Sequence, residues 1–157
     1  MRPTRDEWAM AIALTTSKRG TCLRRQVGCV LLDKDGFILS TGYNGRAAGQ
    51  MHCNEVDEET TSPIIHPWAC KGACSPSGTN LDACEAIHAE QNALLRCADV
   101  RQIHQCFVTA SPCMTCTKLL LNTGCREIIF AEPYAHDEFA RELWTRDGRV
   151  WKQLHIC

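Results

Sequence analysis

Four side chains in this sequence have the types and spacing of a hydrolytic metal centre. "HAE" sets His88 two residues before Glu90, and "PCMTC" sets Cys113 three residues before Cys116. One imidazole and two thiolates suit zinc, and three protein ligands leave the fourth tetrahedral position to water, as a catalytic zinc requires. Zinc draws the pKa of such a water down toward about 7. A carboxylate beside it can take the proton and deliver it to a substrate, and Glu90 is placed for that task. The alternative is a closed structural clip with Glu90 merely solvated. A closed site normally shows a fourth ligand nearby, and none stands beside these three. A lone CxxC is weak, but His88 lies 25 positions ahead of Cys113, with a strand and a helix start between them, and that spacing is specific.

The elements that must position these groups can be read from periodicity and punctuation. An amphipathic first helix is expected from about Thr4 to Lys18, with Trp8 and Ile12 on one face and Met10 and Leu14 on a neighbouring one. "VGCVLL" and "FILSTG" read as a hairpin turning at Asp35-Gly36. Residues 45–80 are irregular, rich in Gly and Pro, and a loop this long in a compact domain is usually functional or tied down. "LDACEAIHAEQNALLRCA", Leu81 to Ala98, is rich in helix formers and predicts one helix carrying both His88 and Glu90, pointing in different directions. "IHQCFVTA" is a strand. Pro112 opens the next helix, placing Cys113 and Cys116 on one face, and Gly124 ends it. The helix N-terminus there favours thiolates. "CREIIFA" is a strand, "HDEFARELWTRDG" a helix and "RVWKQL" a last strand. The order α-β-β-α-β-α-β-α-β predicts a mixed five-stranded sheet with helices on both faces: an antiparallel hairpin, then parallel strands.

The 157 residues fit one domain with one core. Net charge is −1, which weighs against a broad basic face for nucleic acid while leaving room for a local phosphate contact. No apolar run approaches the roughly 18 residues of a membrane span. Arg2, Arg5 and "WAMAIAL" imitate a signal peptide, but Asp6 and Glu7 precede the run and no clean cleavage site follows. Twelve cysteines without an export signal favour metal ligation or catalysis over disulfides. Cys29, Cys97, Cys106 and Cys125, in apolar or helical runs, read as small buried hydrophobes.

H-x-E with P-C-x-x-C is the zinc deaminase signature. Together with "TCLRRQVGCVLL", "STGYNG", "HC" at 52–53, "PSG" at 76–78, "CEAIHAEQNAL", "SPCMTC" and "REIIFAEPY", it makes the sequence resemble the deoxycytidylate (dCMP) deaminases of the cytidine deaminase superfamily, phage and bacterial type, over nearly the whole chain. The resemblance implies a three-layer α/β/α sandwich spanning 1–157 and a cytoplasmic enzyme, in the host cytoplasm if phage-encoded. The activity it implies is zinc-dependent hydrolysis of dCMP to dUMP and ammonia, feeding thymidylate synthesis. Zinc-activated water held by His88, Cys113 and Cys116 would attack carbon 4 of cytosine, with Glu90 as the proton shuttle. Asn44 would contact the sugar, the backbone around Ala89, Ala110 and Ser111 would read the base, and Tyr134 would lie near the sugar-phosphate. Asn44 and Gly45 also read as plain turn residues, and Tyr134 as a strand cap. Arg24 and Arg25 are the local cations for a monophosphate, or a solvated pair.

Family members respond to dCTP and dTTP, with Mg, near the GYNG loop and assemble as dimers or hexamers. Here Tyr43, Asn44 and Gly45 are followed by Arg46 rather than by the family's proline-bearing loop, which puts that control in question. A tRNA or other nucleic-acid deaminase, a free cytidine deaminase and a non-enzymatic zinc module are the rival readings. The resemblance also implies a second, structural zinc at Cys22, Cys53 and Cys84. The usual fourth cysteine is replaced by Glu58, and the lengthened loop 46–80 brings Cys70 and Cys74. Cys74 is the preferred replacement, with Cys70 the alternative. Cys53, Cys70, Cys74 and Cys84 without Cys22 are a further set, as are His66 or His52 as ligands.

Overall fold

The computed structural model describes residues 1–55 and 70–155. Helix α1 (Arg5–Ser17) leads into strands β1 (Gly28–Leu32) and β2 (Ile38–Tyr43), followed by α2 (Ala89–Arg96), β3 (Gln105–Ala110), α3 (Met114–Leu121), β4 (Glu127–Glu132), α4 (Glu138–Thr145) and β5 (Val150–Gln153). The sheet order is β2-β1-β3-β4-β5. β1 pairs antiparallel with β2 and β3, while β3–β4 and β4–β5 are parallel, as the alternation of helices and strands requires. The expected mixed five-stranded sandwich is therefore the observed one.

Strand periodicity sorts the core into two layers. Val30, Leu32, Phe107 and Ile129 pack with Ala9, Met10 and Ala13 of α1. Cys29, Leu31, Cys106, Val108, Ile128 and Phe130 point to the other face, against Ala89 and Ala93 of α2, Leu120 of α3 and Trp144 of α4. Cys29, Cys106 and Cys125 are fully buried, as small hydrophobes should be, and Cys97 is half-buried. The α1 stripe differs from the expected faces. Met10 is buried with two alanines, while Trp8 and Leu14 stay partly exposed, because small residues let the helix lie close to the sheet. Thr4 and Glu7 close its N-terminus as a capping box. The hairpin turn is built by Asp33, whose carboxylate accepts from the N–H groups of Asp35 and Phe37, with Gly36 at φ 87°.

The larger correction concerns residues 81–98. Only Ala89–Arg96 is α-helical. Leu81–Ala83 is a single 3₁₀ turn, and Ile87 exchanges two backbone hydrogen bonds with Gly45, at 3.1 and 2.8 Å. That bridge holds the chain extended up to His88, so helix propensity yields to a tertiary pairing. Gly42 then lets α2 lie directly on the sheet. A Cβ there would stand 2.3 Å from the carbonyl oxygen of Ala89 and 2.4 Å from the N of Ala93. Gly42→Ala should therefore lower stability by about 1–3 kcal/mol through overpacking, read as a reduced urea midpoint with an unchanged slope.

Candidate active site

His88 is the N-cap of α2, with extended backbone (φ −71°, ψ 156°), and Gln91 accepts a hydrogen bond from its N–H at 2.8 Å. Cys113 is the N-cap of α3, and Cys116 lies in that helix's first turn. Two helix N-termini, with their partial positive charge, thus converge on one point. Sequence reasoning placed His88 inside a helix; its place at the helix mouth is what brings its ring to the thiols. His88 Nδ1 lies 3.5 Å from Cys113 Sγ and 3.4 Å from Cys116 Sγ. Among the described residues, these three form the group whose ligand atoms all lie within 4.8 Å of one another. A tetrahedral zinc with bonds of about 2.05 Å to nitrogen and 2.3 Å to sulfur sets its ligands roughly 3.5–3.8 Å apart, so the residues fit that ion.

Local electrostatics prepare the ligands. A hydrogen bond from Cys116, aided by His88, draws the Cys113 thiol down to about 4 against the opposing effect of burial. Cys116 is pushed up by its hydrogen bond with Cys113 and by burial. His88 is raised chiefly by its contact with Cys113. Glu90 is only 4% exposed; burial raises its carboxyl, and the nearby His88 opposes the shift.

A narrow cavity of ≈ 110 Å³ opens above this group. Arg24, Asn44, His88, Ala89, Glu90, Ala110, Ser111, Cys113 and Tyr134 all line it, so the sequence-predicted catalytic and substrate residues meet in one place. A second cavity of ≈ 440 Å³ shares Gly78, Leu81, Cys84, Ala86, His88, Cys113 and Tyr134 with the first and adds His136. Asn44 is buried with its amide bonded to main chain at both ends: Oδ1 accepts from Val27 N (2.8 Å) and Nδ2 donates to the Arg25 carbonyl (2.7 Å). Arg24 Nη1 donates to the carbonyls of Thr79 (2.6 Å) and Pro76 (3.3 Å), tying the "PSG" strand of loop across the pocket. Gly78, at φ 82°, leaves room there; a Cβ would meet Tyr134 Oη and His136 at 2.8 Å. Burial raises the Tyr134 phenol, and the guanidinium groups of Arg24 and Arg25 oppose that shift.

Sequence reading named Ser111 and Arg25 but not the partners that hold them. Ser111, 3% exposed, accepts from Tyr134 N–H and donates to Asp137 Oδ2, both at 2.6 Å. Asp137 therefore clamps the turn bearing Tyr134 to the segment leading into Cys113. Its place just before α4 was the available signal. The Arg25–Glu132 ion pair (2.7 Å) had none. Tyr43, Gly45 and Arg46 lie outside the cavity lining. Arg46 pairs with Glu85 and donates to the Met51 carbonyl.

In the loop region, burial works against the Cys70 thiolate, yet N–H groups of Glu85 and Gly72 and the thiols of Cys53 and Cys84 all engage its sulfur, and its pKa falls. Cys53, raised mainly by burial, is its neighbour. Cys74 is exposed, whereas Cys22 and Cys84 both line the first cavity; among the described residues these sulfurs do not gather with Cys53 and Cys70 into a ligand group as His88, Cys113 and Cys116 do. His52 Nδ1 lies 3.2 Å from Thr21 Oγ1. His66 and Glu58 fall outside the described residues.

The geometry is that of a three-ligand group suited to one zinc ion on an α/β/α sandwich. The model of the cytidine and deoxycytidylate deaminase zinc-binding region matches residues 3–132, and the chain belongs to this family. It is 33% identical over 154 residues to the deoxycytidylate deaminase of Schizosaccharomyces pombe, covering 97% of this chain and 44% of that one. It is 35% identical over 130 residues to the deoxycytidylate deaminase of Mycobacterium phage D29, covering 82% and 95%. The chain thus spans under half the length of the fission yeast relative and nearly all of the phage one. A crystal structure of the dCMP deaminase of cyanophage S-TIM5, in complex with dCMP and dUMP, superposes with a TM-score of 0.70 at 26% identity, covering 98% and 99% of the two chains.

Replacing a ligand tests the centre: Cys116→Ala should lose one zinc equivalent per chain, measured by atomic absorption on folded protein.

Proposed function

We propose that the protein hydrolyses dCMP to dUMP and ammonia, supplying dUMP for thymidylate synthesis. The observation that carries this reading is the buried Glu90 set beside the His88–Cys113–Cys116 group at the floor of a pocket. Similarity to the phage enzyme seen with dCMP and dUMP supports the choice of substrate. Zinc, when bound by His88, Cys113 and Cys116, lowers the pKa of water and makes it nucleophilic at neutral pH. The remaining work falls to the chain's own groups. The ionised Glu90 carboxylate would take one proton of the water and deliver it to ring nitrogen 3, then take the second and deliver it to the amine, which leaves carbon 4 as ammonia; burial, which favours the protonated form, helps it hold each proton between transfers. Ala89, Ala110 and Ser111 line the pocket where the base would be read. Asn44 would act through the backbone it holds, and Tyr134, in the same lining, would lie near the sugar-phosphate.

A second, structural zinc belongs to this reading. The sulfur of Cys70, engaged by Cys53 and Cys84, supports Cys70 over the exposed Cys74 as the replacement ligand, with Cys22 as the fourth. A metal clip of this kind offsets the ordering entropy of a long loop. Effector control by dCTP or dTTP with Mg around Tyr43–Arg46, and assembly into a dimer or hexamer, complete the proposal. Added dCTP and dTTP should move the dCMP saturation curve, and light scattering should report a multiple of the chain mass.

Two measurements test the core of the reading. In a panel of dCMP, dCTP, CMP, deoxycytidine and a short tRNA arm, ammonia release should be fastest from dCMP; preference for any other member contradicts the substrate assignment. Metal analysis should find two zinc per chain in the wild type and in Cys74→Ser, and one in Cys70→Ser. One zinc in the wild type would end the structural-site proposal.

A further inference from the structure

The pocket contains two guanidinium groups, and their surroundings differ. Arg24 spends its Nη1 on two backbone carbonyls of the 76–79 loop, at 2.6 and 3.3 Å, and so acts as a fastener. Among the described residues, Arg25 makes its ion pair at 2.7 Å with Glu132, whose side chain is 74% exposed against 29% for Arg25. A pair with so exposed a carboxylate is screened by water and weak. A phosphate dianion offers Arg a stronger, bidentate partner, so it can displace the carboxylate at little cost.

The position of Arg25 is fixed from behind. The buried Asn44 amide grips the main chain on both sides of it, accepting from Val27 N and donating to the Arg25 carbonyl. Glu132 is likewise held, since its carbonyl accepts from Ser111 N at 2.9 Å at the end of β4. Tyr134, two residues beyond Glu132, sits within the field of both arginines.

We propose that Arg25 is the residue that distinguishes a deoxynucleoside monophosphate from the free nucleoside, with Glu132 holding its guanidinium at the pocket mouth until the phosphate takes that place. The inference rests on the dCMP reading above and assigns its specificity to one exchangeable ion pair. Glu132 is then an internal competitor of the substrate phosphate, and Arg24 a positioning residue for the loop that closes over it.

The test is calorimetric titration of the zinc-loaded protein with dUMP and with deoxyuridine, neither of which turns over. The wild type should bind dUMP more tightly. Arg25→Gln should cut the ratio of dUMP to deoxyuridine affinity by about tenfold or more, the loss of one charged hydrogen-bonding partner. Glu132→Gln, a surface change that folding should tolerate, should raise the ratio by about threefold, since it removes the competitor without removing the cation. Inorganic phosphate should compete with dUMP in the wild type and more strongly in Glu132→Gln. A ratio unchanged in Arg25→Gln, or lowered in Glu132→Gln, overturns this inference alone. A wild type that binds deoxyuridine as tightly as dUMP overturns the dCMP reading and this inference with it.

Discussion

The structure depends on how three groups that favour negative charge are kept together out of water. Cys113 and Glu90 line one pocket, Cys116 lies within reach of the same His88 ring, and Cys116 and Glu90 are buried. Without compensation they would repel one another and resist ionising: burial pushes the Glu90 carboxyl up, and the hydrogen bond with Cys113, with burial, does the same to Cys116. Three positive sources answer it: the N-termini of α2 and α3, the His88 ring, and the divalent ion the ligand set fits. The fold serves this convergence. β1 and β3 are antiparallel and β3 and β4 parallel, so α2 and α3 share one face with their N-termini toward one end of the sheet. Gly42 brings α2 close enough for His88 to reach the thiols of the neighbouring helix.

Around that centre, the pocket walls are fastened by polar bonds between distant segments. Asn44 ties the end of β2 to residues 25–27, Arg24 ties the loop at 76–79 to the same stretch, and Ser111 with Asp137 ties β3 to the turn after β4. Each uses a buried or half-buried donor that would be costly to leave unpaired. The mouth of the pocket is thus defined by hydrogen bonds, while its floor is defined by packing.

The sequence made the chemistry legible because it is local. HAE and PCMTC carry their ligands at short spacing, and the alternation of strands and helices gave the sheet. What it concealed depends on long-range pairing. The stretch 81–87 has helix-forming composition, and only its bridge to Gly45 keeps it extended. Asp137 meets Ser111 across 26 residues, and Arg25 meets Glu132 across 107, distances over which composition carries no signal. Asn44 was readable as a pocket residue, but not as one whose amide is spent on the main chain. In the cysteine-rich loop, spacing alone could not separate Cys70 from Cys74, which differ in burial: Cys70 is buried near Cys53 and Cys84, and Cys74 is exposed.

The central claim is that Glu90 moves protons while the three ligands hold the metal. The direct measurement is zinc content and ammonia release from dCMP in Glu90→Gln, with folding checked by circular dichroism. The account predicts wild-type zinc content and a rate lower by about 10²–10⁴-fold, the usual contribution of a positioned proton carrier. Unchanged turnover in a protein that keeps its zinc would contradict it.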